Sequence, residues 1–409
     1  MEKFKKHNKK HNINHVFIFP GTDNVNLIKS VGMISYYFYK INNFNSTILT
    51  DPHGNYPYYY TLVRGIKLKF IDQYKRINLF GRASIFKFLL FNSRKIDILS
   101  IMHLNASTVK YGALYKLLKR NGILYIKLDA DHHIKQGDLF EKKYYYKVKS
   151  PWKLVNYWID IFSKKIFEKR FNLMSIETRE LCDWLKQTYN QYKDKFIYIP
   201  NGFDDNQLKY LDIKRKSFEQ KENIIITVGR IGSDQKRTEV LLDAISKIKD
   251  LKDWKVLLIG PIENVQFIEY FNNFLEKNPS LENTVYMTGE ITDRKELFEY
   301  YQKSKIFCLT SYVESFGIVL VEAGYFGNFL VSTNLYPVRD ITKNGTIGKL
   351  FKIGDSDELA KILEELINNE DLLRENFLKI QEHIDKNFLW RNIVKKLYQE
   401  IYISNYSQK

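Results

Sequence analysis

The stretch Glu314-Ser315-Phe316-Gly317-Ile318-Val319-Leu320-Val321-Glu322-Ala323 sets two carboxylates eight positions apart, with a Ser-Phe-Gly turn between them that runs into an apolar segment of helical potential. A glycine where a loop becomes a helix lets backbone N–H groups approach a ligand closely. The first-turn N–H groups have no partner inside the helix and favour an anion such as a diphosphate. Glu314 precedes the helix and Glu322 lies about two turns inside it, so the two cannot do the same job. One can face a sugar and the other a ribose, which suits a nucleotide-sugar. Two glutamates at this spacing also arise by chance on surface helices, so the surroundings must decide.

Upstream, Ile224 to Val228 is an apolar run with the character of a buried strand, and Gly229-Arg230 follows at its end. Lys236 comes six residues later, before a helical stretch from Thr238 to Ile248. Cations beside the carboxyl end of a strand lie where open α/β sheets bind ligands, and where a departing diphosphate needs its charge neutralised.

With these pieces in place the sequence resembles the retaining nucleotide-sugar glycosyltransferases of family four, which have the GT-B architecture. The resemblance rests on Val228-Gly229-Arg230 with Lys236, Val285-Tyr286-Met287-Thr288-Gly289, the Glu314 and Glu322 pair, Ile199-Pro200-Asn201-Gly202-Phe203-Asp204, and Phe388-Leu389-Trp390. Order and spacing agree across residues 199 to 400, about half the chain, and the amino-terminal half matches in outline. One departure is plain: the family usually has Lys-Gly where this chain has Lys236-Arg237, which implies a stiffer loop or an extra charge.

The resemblance implies an α/β protein of two Rossmann-like domains facing a central cleft. Its expected divisions are 1–205 for the acceptor, 206–386 for the donor, and a last helix, 387–409, returning to the first domain. It places Arg230 and Lys236 on the diphosphate, Gly229 and the Ser315-Phe316-Gly317 backbone near the phosphates, Glu322 on the ribose hydroxyls and Glu314 on the sugar. In the first domain Gly21 resembles the glycine that lets backbone approach donor or acceptor. Asp129 stands near the place where many members have a histidine close to the reacting carbon. No cofactor is implied beyond the nucleoside-diphosphate sugar itself. Asp129-Ala130-Asp131, with His132 and His133 after it, invites a metal reading, but that D-x-D site belongs to another glycosyltransferase architecture, and no metal is expected.

Along the chain, apolar runs at His15 to Pro20, Ser46 to Leu49, Ile96 to His103, Gly122 to Leu128, Asn172 to Glu177 and Lys195 to Ile199 read as strands. Val25 to Lys40 reads as a helix, Asn55 to Tyr60 as a loop or an acceptor-facing edge, and Asp212 to Asn223 as a polar linker. Beyond it, strand and helix alternate through Ile224–Val228, Trp254–Ile259, Val285–Met287, Ile306–Leu309 and Phe329–Ser332, the pattern of a parallel sheet covered by helices. At 409 residues, two cores are expected.

Charge is uneven. Residues 1 to 200 carry 35 Lys and Arg against 15 Asp and Glu, a net of +20, while the remainder carries −3 of the overall +17. Such a field attracts anionic partners. Arg76 to Lys95 and Pro151 to Phe171 mix aromatic and basic residues at helical spacing, as in helices that lie on an anionic membrane surface, although packing on a sheet gives the same stripe. No run approaches the 18 apolar residues a membrane-spanning helix needs, and Met1 to Asn14 lacks the apolar core of a signal peptide. Cys182 and Cys308 lie far apart with no metal or disulfide spacing. These features suggest a cytoplasmic protein, peripheral on the inner face of the cell membrane, whose acceptor is a glycan or a lipid-linked saccharide. An epimerase of the same fold remains open. A nucleic-acid-binding protein would leave the donor motifs unexplained, so no nucleic acid partner is expected.

Overall fold

The computed structural model describes residues 13–71, 76–77, 81–129, 139 and 151–406. It divides into two units, one made of residues 1–204 and 390–409, the other of 205–389.

The first unit is a seven-stranded sheet. Its strands are β1 (Asn14–Ile18), β2 (Asn45–Thr50), β3 (Lys67–Phe70), β4 (Ile98–Met102), β5 (Ile123–Leu128), β6 (Leu173–Ile176) and β7 (Phe196–Tyr198). They run in the order β3-β2-β1-β4-β5-β6-β7, all parallel. Successive side chains on a strand face opposite ways, so a sheet covered on both sides buries both sets. Phe17, Ile48, Ile98, Tyr125 and Leu173 enter one core, and Val16, Ile18, Leu49, Leu99, Leu124 and Ile126 enter the other. The last helix, Trp390–Tyr406, adds Trp390, Ile393, Val394, Leu397 and Ile401 to the first of these cores. Trp390 N–H donates to the Phe203 carbonyl at 3.0 Å, fixing where that helix begins.

The second unit is a six-stranded parallel sheet of β8 (Glu222–Val228), β9 (Lys255–Ile259), β10 (Val285–Gly289), β11 (Ser304–Leu309), β12 (Phe329–Thr333) and β13 (Gly348–Phe351). The order β10-β9-β8-β11-β12-β13 reverses direction between β8 and β11. In an open sheet of this kind, that reversal opens a crevice at the carboxyl ends of the two strands. The first sheet has the equivalent point between β1 and β4.

Several expectations need correction. Arg76 to Lys95 is not one helix: Arg76–Ile77 pairs antiparallel with Gly81–Arg82, and the helix spans Ala83–Asn92. Gly81, the weakest helix former short of proline, marks the break. Val25 to Lys40 splits into a short 3-10 turn, Val25–Ile28, and a helix, Ser30–Asn42. Pro57–Thr61 is a helical turn opened by Pro57, where a proline's missing N–H costs nothing. Residues 212–223 are not a free linker: Phe218 is buried, Arg215 pairs with Asp385 at 2.5 Å, and the buried Lys221 ammonium donates to the carbonyls of Tyr301, Gln302 and Ser304. The polar sequence hid this because Arg215, Glu219 and Lys221 find their partners in distant elements. Strands β3 and β13 were not legible at all, being short and half polar.

Candidate active site

The carboxyl end of β8 and the segment after β11 meet at the reversal point of the second sheet. Lys236 Nζ lies 2.5 Å from Glu314 Oε1, with their side chains 16% and 7% exposed. Ser311 Oγ donates to the same carboxylate oxygen at 2.6 Å, and Thr310 Oγ1 donates to the Lys236 carbonyl at 2.8 Å. Two residues that the sequence places 78 apart are thereby held together on short loops.

Arg230 stands more in solvent. Its guanidinium pairs with Glu263 at 3.1 Å and donates to Gln235 Oε1 at 2.5 Å, while Gln235 Nε2 donates to the Val313 carbonyl beside Glu314 at 3.0 Å. Arg230 therefore reaches the Lys236 and Glu314 pair through Gln235, a residue the sequence alone did not mark. Gly229 serves this site by packing: a Cβ there would lie 3.2 Å from Lys236 Cε. On the neighbouring loop, Gly260 approaches so closely that a Cβ would come within 1.8 Å of the Gly229 carbonyl oxygen.

Lys236-Arg237 departs from a Lys-Gly pattern in sequence but not in backbone. Arg237 has φ 49° and ψ 49°, the left-handed conformation that favours glycine, and it precedes the helix Thr238–Lys247. Its guanidinium lies 5.9 Å from the centre of the exposed Tyr312 ring and 3.4 Å from Glu239.

Gly317 caps the helix Ile318–Tyr325 with φ 84°, and Ser315 before it is exposed. Phe316 is 2% exposed and packs toward Phe388, with ring centres 6.1 Å apart. Its side chain belongs to the core, so at Phe316 only the backbone can face a ligand. Glu322, two turns on, is held from elsewhere: Arg294 Nη2 donates to its Oε1 at 2.7 Å, and the buried Tyr301 hydroxyl donates to Oε2 at 3.3 Å. Burial and the Glu322 charge drive the Tyr301 phenol well above its ordinary range, so it remains a donor. The structure thus gathers Lys236, Glu314 and, through Gln235, Arg230, and fixes Glu322 separately. Arg294 and Tyr301 lay outside the sequence reading; both are on the helix Arg294–Lys303, seven residues apart and so on one face.

In the first unit Gly21 has φ 80° and nothing within 4 Å of where a Cβ would sit. Its N–H is bonded to Asp51 Oδ1 at 2.7 Å, and Arg82 pairs with the same oxygen at 2.6 Å. Burial opposes the Asp51 charge, but Arg82 and the Gly21 amide outweigh it and hold the carboxyl below its ordinary range. Asp129 stands just beyond the carboxyl end of β5, half-buried. Asp131, His132 and His133 lie outside the described residues.

Residues 210–383 match the model of the family "Glycosyl transferases group 1". The match covers 174 of the 409 residues, so the likeness to the group 1 glycosyl transferases is that of this region. The group 1 region contains Arg230, Lys236, Glu314, Gly317 and Glu322, whereas Gly21 and Asp129 lie outside it. Among relatives, a Campylobacter jejuni α-1,4-N-acetyl-D-galactosaminyltransferase, named for an undecaprenol-linked saccharide, is 33% identical over 184 residues, 44% of this chain and 47% of that protein. The N-acetyl-α-D-glucosaminyl L-malate synthase of Bacillus anthracis is 29% identical over 228 residues, 55% of this chain and 56% of that protein. The chain thus spans about half the length of the relatives it matches. A crystal structure of Anabaena HepE in complex with UDP aligns over 96% of this chain and 100% of that one, with a TM-score of 0.69 and 16% identity. A Rickettsia africae glycosyltransferase aligns over 97% and 99%, with a TM-score of 0.67 and 15% identity. At these identities the likeness is one of fold, and the chain has the GT-B fold.

Proposed function

We propose that this protein is a retaining glycosyltransferase that moves a sugar from a nucleoside diphosphate to a hydroxyl of a glycan or lipid-linked acceptor, in cell-surface polysaccharide or glycoconjugate synthesis. The observation that carries the reading is the Lys236 and Glu314 pair at the reversal point of the second sheet, beside the Gly317 turn.

The donor's diphosphate sits against Arg230, Lys236 and the backbone of Ser315-Phe316-Gly317. Glu322, steadied by Arg294 and Tyr301, accepts from the ribose hydroxyls, and Glu314 from those of the sugar. As the glycosidic bond breaks, negative charge gathers on the β-phosphate. Cations already fixed there stabilise that charge more than they stabilise the bound donor, which is what lowers the barrier. The same cations supply the countercharge that a divalent metal supplies elsewhere, so turnover is expected to survive a chelator. The acceptor hydroxyl is held by the first unit near Asp129. Relatives named for a lipid-linked saccharide and for capsular polysaccharide support an acceptor of this class.

Peripheral membrane contact belongs to the same proposal. Among the described residues no helix is long and apolar enough to cross a membrane. On the helix Pro151–Arg170, Trp158 and Phe162 are each 60% exposed on an element that also carries Lys164, Lys165 and Lys169, while Phe167 is buried. Leu90 and Phe91 are exposed on Ala83–Asn92. Apolar rings among cations are what an anionic leaflet takes up.

The direct test is a thermal-shift screen of nucleotide-sugars followed by product analysis with saccharide acceptors, with the anomeric configuration of the product read by NMR. A stabilising donor and an acceptor-dependent product with the donor's configuration support the proposal. Free sugar released without any acceptor would point to an epimerase instead. Co-flotation with vesicles containing anionic lipid, lost at high salt and absent with neutral lipid, tests the membrane contact.

A further inference from the structure

The carboxyl ends of β5, β6 and β7 hold a charged cluster that the reading above leaves unused. Lys127 on β5 and Glu177 just beyond β6 are both completely buried, with Lys127 Nζ 3.0 Å from Glu177 Oε1. Asn201, three residues past β7, donates from Nδ2 to the same oxygen at 2.6 Å, and Lys127 also reaches the Ile199 carbonyl at 3.5 Å. Glu177 Oε2 is buried too, and no donor among the described residues serves it. Asp129 and Glu177 directly follow Leu128 and Ile176, the last pair that joins β5 to β6, so a second carboxyl group stands beside that of Glu177.

Such an arrangement is a poor source of stability. Removing both charges of an ion pair from water costs several kcal/mol per ion, and well-packed apolar replacements are often as stable or more so. Two carboxylates in contact inside a protein are worse, since both cannot stay ionised; one proton held between them turns the repulsion into a hydrogen bond. Burial pushes the Glu177 carboxyl up, Lys127 opposes this, and Asp129 adds to it, leaving it at about 8. Among the described residues, the charged and titratable groups facing Glu177 are Lys127 and Asp129, with Tyr125, bonded to Ser175 at 2.7 Å, close enough to feel its charge.

We propose that Glu177 and Asp129 hold one proton between them, and that Glu177, anchored by Lys127 and Asn201, is the positioning residue that fixes the Asp129 carboxylate for a hydroxyl-bearing acceptor. The inference rests on the reading of the first unit as the acceptor side. Glu177 supplies the O–H, and Asp129 accepts it on one oxygen and keeps the other for the acceptor. When the proton leaves, two negative charges face each other, Asp129 turns away, and acceptor use falls. Glu177 touches no substrate; it acts through Asp129.

The experiment follows acceptor kinetics from about pH 6 to 9.5 in the wild-type chain, in Glu177→Gln, and in a double variant carrying Lys127→Met and Glu177→Leu, with melting temperatures alongside. In the wild type, kcat/KM for the acceptor declines above about pH 8, while binding of the nucleoside diphosphate does not. Glu177→Gln, whose amide still donates to Asp129, keeps most activity and loses that alkaline decline. The double variant melts close to wild type yet loses about 100-fold in kcat/KM for the acceptor, the cost of a misplaced reacting partner. Wild-type acceptor kinetics in the double variant, or an unchanged alkaline decline in Glu177→Gln, would overturn the proposal. A second readout needs no assay: NMR of carboxyl-labelled protein shows one carboxyl titrating well above the ordinary carboxylate range that Glu177→Gln removes, and its absence from the wild type overturns the shared proton. If that titration is present but no nucleotide-sugar binds, the transferase reading fails and the proton-sharing pair stands.

Discussion

Lys236 Nζ and Glu314 Oε1 lie 2.5 Å apart, joined at the same carboxylate oxygen by Ser311 Oγ at 2.6 Å. The ammonium proposed to bind a diphosphate and the carboxylate proposed to bind a sugar thus satisfy each other. On the proposed reading a donor exchanges the ion pair for its own phosphate and hydroxyl contacts, so that both charges keep a partner. We expect Lys236→Ala to cut turnover by about 100- to 1000-fold, the usual loss when one group stabilising a developing anion is removed. It should also lower the melting temperature, because the nearly buried Glu314 carboxylate is left with a hydroxyl as its partner. Glu314→Gln should keep more stability than Lys236→Ala, since its amide oxygen still accepts from Ser311. Donor turnover and thermal melts of both variants check this.

Arg237 offers a separate test, in which backbone and side chain are set against each other. A non-glycine residue in the left-handed region costs about 1–2 kcal/mol, while glycine gives back about 0.5–1 kcal/mol through the freedom of its unfolded chain. Arg237→Gly should therefore leave stability unchanged or raise it by under about 1 kcal/mol. Turnover should be retained, because the turn that places Lys236 is kept. A large drop in melting temperature would show that the contacts to Tyr312 and Glu239 hold the loop instead.

Arg294 and Tyr301 together fix both oxygens of Glu322. Glu322→Ala should abolish most transfer with the fold intact, as the ribose contact proposed for it requires. Arg294→Ala should act through that same carboxylate, raising KM for the donor by about tenfold, roughly 1.4 kcal/mol, with kcat little changed. A fall in kcat at constant KM would place Arg294 at the reacting atoms instead. Steady-state kinetics over a range of donor concentrations separates the two.

His15 is wholly buried in the middle of the first sheet, between Ser46 Oγ at 3.2 Å and Ser100 Oγ at 2.9 Å. Burial lowers its pKa to about 3. The unfolded chain protonates this group near its ordinary value of about 6.5, and the native one does so only much lower. Its contribution is therefore complete above that value and is lost as pH falls toward 3, by about 1.4 kcal/mol for each pH unit. The stability difference between the wild type and His15→Gln should accordingly shrink between neutral pH and pH 4, as read by urea unfolding. A constant difference would mean that His15 is charged in the native state.

The sequence by itself determined the alternation of strand and helix, the two-domain plan and the glycine turn at Gly317, because apolar periodicity and glycine placement are local properties of the chain. It also marked Lys236, Glu314 and Glu322 through their spacing. Only the tertiary structure decided who meets whom. Gln235 links Arg230 to the Val313 backbone, Arg294 and Tyr301 hold Glu322, Phe316 turns into the core, and Lys127, Asn201 and Asp129 converge on Glu177. In a parallel sheet, neighbouring strand ends come from segments dozens of residues apart, so these pairings leave no local pattern. A charge that reads as solvated surface in the chain becomes a buried partner once crossovers set the strand order.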